Sequence, residues 1–142
     1  MSDGKDFLNK LTESNEEREP VYEMARVGKM LDKYNVCVYE GERPVPHFHI
    51  YIGQPKSATW ESCVRIDVAA YFNHKPHMVT MNSQEKKALV VFLKGLHEEF
   101  PDMTRWEYIK RTWNTNNPEY RTNVDKMPNY SRLKNAKEGF WG

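Results

Sequence analysis

The stretch RPVPHFHIYIG, residues 43–53, decides how this chain is read. From His47 onward Phe48, Ile50 and Ile52 alternate with His47, His49 and Tyr51, the two-residue period of a β-strand. The apolar set predicts the core face, which puts the two histidines and Tyr51 on the opposite, outer face. Working outward, YNVCVYE (34–40) and CVRIDVA (63–69) alternate in the same way and are rich in β-branched or aromatic residues. The short GERPVP connection (41–46) predicts antiparallel pairing of the first two strands. On the third, Val64, Ile66 and Val68 are read toward the core, which leaves Cys63, Arg65 and Asp67 beside the histidines. A short further strand is expected around Met78 to Met81.

Helical spacing brackets these strands. Pro20 suits a first helical turn, and Val21, Met24, Ala25, Gly28 and Leu31 recur at three- and four-residue intervals, so a helix is predicted over 20–33. In NSQEKKALVVFLKGLHEEF (82–100), Asn82 and Glu85 have the spacing of a capping box, and Leu89, Phe92, Leu93, Leu96 and Phe100 make one face ended by Pro101. TRWEYIKRTWN (104–114) repeats the pattern with Thr104 as cap and Trp106, Ile109, Lys110 and Trp113 on one side. The expected architecture is α+β: a three- to four-stranded, mainly antiparallel sheet with helices on one face and the opposite face partly open. Residues 1–18, with Glu13, Glu16 and Glu17 near a small apolar patch, read as an acidic arm, 19–114 as the domain, and 115–142 as an irregular tail.

Composition narrows the function classes. In 142 residues, 21 basic side chains against 20 acidic ones give a formal +1, so no overall field favours nucleic acid or an anionic membrane. The polar N-terminal stretch and only two cysteines predict a cytoplasmic protein with reduced thiols, and charge interrupts the apolar runs too often for a membrane span. The tail sets Arg121, Lys126, Arg132, Lys134 and Lys137 among aromatics, a mixture able to stack on bases, though Glu119, Asp125 and Glu138 dilute it. A protein or small-ligand partner is the favoured expectation.

The chemistry-bearing residues concentrate between His47 and His77, which hold four of the five histidines. Imidazoles with a carboxylate are ligands for zinc, iron or manganese, so His47, His49, Asp67 and His77 form one candidate metal set, with Arg65 placed to steady an anion. The same face, His47, His49, Tyr51, Arg65 and Asp67, is equally a candidate binding surface. His97 reads as ordinary helix surface, and the cysteines as small apolar fillers. A histidine-triad nucleotide hydrolase needs a third alternating histidine where Tyr51 stands. Phosphate loops, paired CxxC motifs and nucleophile elbows do not occur.

The block from Pro44 to Gly53, followed by VRID and two amphipathic helices, resembles a family of small bacterial proteins whose signature is Pro-Pro-His-Phe-His and then a Tyr-Gly pair. The likeness runs from about Val36 to Trp113. This chain departs from it with Val45 between the prolines, Ile52 before Gly53 and a longer QPKSATWES connection. Gut-bacterial and phage-type proteins are similar through RID, the YF-x-H block, the Asn82-Ser83 helix start and WEY followed by NNP. The resemblance implies a compact α+β fold, a meaningful His47/His49 site and a mobile-element or toxin–antitoxin setting in a bacterial cell, and it supplies no reaction. Three functions are therefore expected in turn: a binding or interaction protein of phage or mobile-element type, a metal-dependent hydrolase or nuclease, and an accessory subunit of a larger assembly.

Overall fold

The computed structural model describes residues 24–40 and 44–134. The acidic arm, the predicted helix start at Pro20, Arg43 and the tail beyond Lys134 lie outside those residues. Four strands, β1 (Met24–Met30), β2 (Tyr34–Tyr39), β3 (His47–Ile52) and β4 (Trp60–Arg65), form one antiparallel sheet in sequence order. Two helices, α1 (Ser83–Lys94) and α2 (Arg105–Asn116), complete the α+β fold.

The predicted helix over 20–33 is corrected: its described part is β1 and the turn after it. Two local features explain the misreading. The β1–β2 register shifts between Arg26 and Gly28, and this bulge brings Val27 and Met30, three residues apart, into the same core. The turn that follows places Leu31 and Asp32 at φ of 52° and 59°, closed by Lys33 N–H donating to the Met30 carbonyl at 3.2 Å. Glycine or asparagine usually marks such a turn, so Leu-Asp gave no hairpin signal. Gly28 is where α1 lands on β1, since a Cβ there would come within 3.0 Å of the Phe92 ring.

β4 also differs from expectation. It begins at Trp60 and ends at Arg65, so Val68 lies beyond the ladder at 44 % exposure instead of facing the core. No strand forms at 78–81; β1 supplies the fourth strand instead. The apolar core is Val36, Val38, Phe48, Ile50, Val64 and Ile66 of the sheet against Leu89, Phe92 and Leu93 of α1 and Trp106, Ile109 and Trp113 of α2.

Asn82 and Glu85 form the predicted capping box, each donating a backbone N–H to the other's side chain at 2.8 Å. Thr104 accepts the Glu107 amide at 3.1 Å, while the Glu107 carboxylate turns to Lys110 and Arg111. Helix α1 stops at Lys94, well before Pro101. Gly95 leaves the helix with extended backbone at φ −72° and ψ 159°, its N–H donating to the Phe92 and Val91 carbonyls, and Arg105 also donates to the Phe92 carbonyl, at 3.0 Å. Leu96 and Phe100, expected on the buried face, are therefore exposed. His97, expected on the surface, is buried at 4 % exposure: its Nδ1 accepts the amides of Glu99 and Phe100, and its ring lies 4.0 Å from that of Tyr108.

Residues 115–134 fold back onto this frame. Trp113 Nε1 donates to the Tyr120 carbonyl at 2.7 Å, Asn114 and Thr122 exchange two hydrogen bonds, and Lys110 donates to the Val124 carbonyl. Tyr130 is fully buried and its hydroxyl donates to the Arg65 carbonyl at 2.7 Å, so this tail aromatic is part of the core and offers no stacking platform.

Candidate metal centre

The second face of the sheet carries the histidines. His49 lies between Cys37 on β2 and Cys63 on β4, and His47 lies opposite Arg65. Residues so paired present their side chains to the same face. The sequence predicted a partly open face, and the structure corrects this: His47 is 1 %, His49 4 %, Tyr51 2 % and Cys63 0 % exposed. The cause is the connection after β4. Phe72 N–H donates to the Cys63 carbonyl at 2.8 Å, Cys63 N–H to Asn73 Oδ1 at 2.8 Å, and Val79 N–H to the Glu61 carbonyl at 2.8 Å. Residues 71–79 are thereby stitched along β4 as a strap, which carries Phe72 and His74 onto the histidines.

Three imidazoles meet there. The His47 ring is 5.1 Å from that of His49 and 5.3 Å from that of His74, and His49 and His74 are 5.7 Å apart. Phe72 packs against both His47 and His74, and Trp113 closes the other side of His47 at 5.2 Å. One ligand atom each from His47, Cys63 and His74 lies within 4.8 Å of the others. In a tetrahedral zinc site, bonds of about 2.0–2.3 Å place ligand atoms roughly 3.3–3.8 Å apart. The cluster is about 1 Å of side-chain closure from that geometry.

The tautomers suit ligation. His47 Nδ1 donates to the Val45 carbonyl at 2.6 Å and His74 Nδ1 to the Phe72 carbonyl at 2.9 Å. A carbonyl only accepts, so each Nδ1 bears a proton, and Nε2 is the nitrogen of each ring that a metal would take. Carbonyl or carboxylate anchoring of one ring nitrogen is the usual arrangement behind a metal-bound imidazole.

Glu61 is a half-buried carboxylate of this face, with its side chain 12 % exposed. Oε2 accepts from His49 Nδ1 and Oε1 from His77 Nε2, both at 2.9 Å. Burial alone would raise its pKa, but the hydrogen bonds from the two histidines outweigh that effect and hold the carboxyl below its ordinary value. Tyr51 lies deeper along the same face. Its hydroxyl donates to Met24 Sδ at 3.2 Å and meets the Tyr39 hydroxyl at 2.7 Å, and burial, helped by Cys37 and Tyr39, raises its pKa far beyond the usual range for tyrosine. It is a neutral structural group at physiological pH. Burial likewise raises the Cys37 thiol, against the lowering effect of Tyr51 and Arg26.

Of the residues predicted from sequence, His47 is in the cluster and His49 lies beside it, its ring 5.1 Å from that of His47. His77 reaches it only through Glu61. Asp67 lies past the end of β4 and forms a bidentate pair with Arg65, at 3.0 and 2.9 Å, with both side chains partly exposed. Sequence reasoning missed Cys63 and Glu61 as participants and gave His74 no role. The β3–β4 alternation does place Cys63 beside His49; the strap that delivers His74 leaves no comparable local pattern.

Surface grooves also lie elsewhere among the described residues. One, of about 480 Å³, runs between Lys29, Leu31, Lys87 and Val91, and one of about 250 Å³ lies among Phe100, Tyr108 and Arg111. No helix among the described residues is long and apolar enough to cross a membrane. No protein-family model, curated protein or solved structure matches the chain.

Proposed function

We propose that this chain is a small metal-binding protein in which His47, Cys63 and His74 hold a zinc-type ion that fixes the sheet to its strap. The observation that carries this reading is the convergence of two imidazoles and a thiol within 4.8 Å. It is strengthened by the carbonyl anchors that set the tautomer of both rings. A thiolate with imidazoles suits zinc. Manganese, magnesium and calcium prefer oxygen ligands, and Asp67, which would have supplied one, is held by Arg65.

The burial of the cluster favours a shape-maintaining role over hydrolysis, because a hydrolytic metal needs an accessible coordination position and space for substrate. The accompanying function is then binding: a metal-stabilised interaction protein of the bacterial or phage kind that the Pro44–Gly53 block resembles. In that reading its partner meets the outer surface, because the histidine face is covered.

The test is metal analysis of untagged protein after zinc loading and dialysis, followed by cobalt substitution. One ion per chain is expected, with a thiolate-to-cobalt charge-transfer band that Cys63→Ser abolishes. Wild-type protein that retains no zinc or cobalt would overturn the proposal.

A further inference from the structure

We infer that His49 is the fourth ligand of this centre, closing a set of one cysteine and three histidines, with Glu61 as the carboxylate that orients it. The inference rests on the metal-binding reading above and specifies what it leaves open, namely whether a water or a fourth side chain completes the coordination.

Position is the first argument. His49 faces Cys63 directly across the β3–β4 ladder and shares its face with His47 two residues earlier. Directly opposed residues hold their Cβ atoms roughly 4.5–5.5 Å apart, so the His49 side chain leaves the sheet beside that of Cys63. The ring is already 5.1 Å from His47 and 5.7 Å from His74.

Orientation is the second argument. All three rings have Nδ1 against an acceptor: the Val45 carbonyl for His47, the Phe72 carbonyl for His74 and the Glu61 carboxylate for His49. The carboxylate partner fixes the orientation of the His49 ring, the arrangement seen behind many zinc-bound histidines.

Charge is the third. A divalent ion with one thiolate leaves a net +1 in a buried site, which is costly unless compensated. The Glu61 carboxylate, directly opposite Tyr51 on the ladder and tied to His49, supplies the balancing charge. Its second oxygen accepts from His77, three residues after His74 on the strap, so Glu61 and the ion fasten the same segment to β4 at adjacent points.

The experiment is zinc affinity by chelator competition, together with the visible spectrum of the cobalt form, for wild type, His49→Ala and Glu61→Gln. His49→Ala is expected to bind one ion per chain with affinity reduced by more than the roughly 10- to 100-fold that loss of an outer partner costs. Its cobalt spectrum should show replacement of an imidazole by an exchangeable water. Glu61→Gln should keep the wild-type spectrum and lose about 10- to 100-fold in affinity. His49→Ala with unchanged affinity and spectrum overturns the inference while the three-ligand reading survives; a wild-type chain that binds no metal defeats both. If His49→Ala does not fold, Glu61→Gln decides, because it leaves every ligand in place and unchanged affinity there also counts against the inference.

Discussion

The two faces of the sheet are buried to the same degree by different chemistry. Under α1 and α2, Phe48, Ile50, Val64 and Ile66 are each 0 % exposed in a largely apolar setting. On the other face Cys63 is 0 %, His47 1 % and His49 4 % exposed, among hydrogen-bonding groups under a single strap. The apolar face gains stability from area removed from water and is indifferent to solutes. The polar face must satisfy each donor and acceptor individually, so its stability depends on partners: carbonyls, a carboxylate and, in our proposal, an ion.

The largest expected effect comes from the apolar side. Phe48→Ala removes a fully buried ring that meets Tyr130 at 6.1 Å, and should cost about 3–5 kcal/mol. Denaturant unfolding in zinc and in chelator should return the same loss. A loss that depends on zinc would mean that the faces are not separable. Next is the ion itself. Zinc at about 100 times its Kd should stabilise wild type by roughly 2.7 kcal/mol, and the same zinc concentration should stabilise Cys63→Ser by much less in the same unfolding assay.

A smaller effect is expected at Glu61. In metal-free protein Glu61→Gln should cost about 1–3 kcal/mol at neutral pH, since it weakens the acceptor of a buried imidazole N–H. The sign of its pH dependence follows from the lowered carboxyl pKa. The stabilisation is fully present above the ordinary carboxylate range, near pH 4.3, and is lost as pH falls through the lowered value. Urea midpoints of wild type and Glu61→Gln should therefore be separated at pH 7 and converge in strong acid; a constant separation would contradict this. Smallest is Asp67→Asn at the partly exposed pair with Arg65. It should change stability by less than about 1 kcal/mol and leave zinc content untouched. Loss of zinc would return Asp67 to the ligand set.

How much could be read from the sequence follows the range of the interactions. The period-two pattern of His47–Ile52, the capping box at Asn82 and the apolar stripe of α2 are local, and the structure has them. The first strand was lost to a helix because a bulge at Val27 and a glycine-free positive-φ turn at Leu31-Asp32 imitate helical spacing. The site was half legible. His47, His49 and Cys63 share a face by alternation alone, whereas His74 arrives by the strap folding back along β4, and Glu61 joins only because β4 starts at Trp60. Asp67 was misplaced for the related reason that the strand ends at Arg65, and alternation stops carrying information there.

The ladder register of β3 has one more consequence. A one-residue slip of a strand exchanges its two faces. For most half-buried strands such an error sends apolar side chains into water. Here both destinations are closed, so a slipped β3 would press His47 and His49 into the apolar layer and Phe48 and Ile50 against Glu61 and Cys63. The misaligned chain would lose on both sides at once, and a strand enclosed between unlike environments proofreads its own alignment.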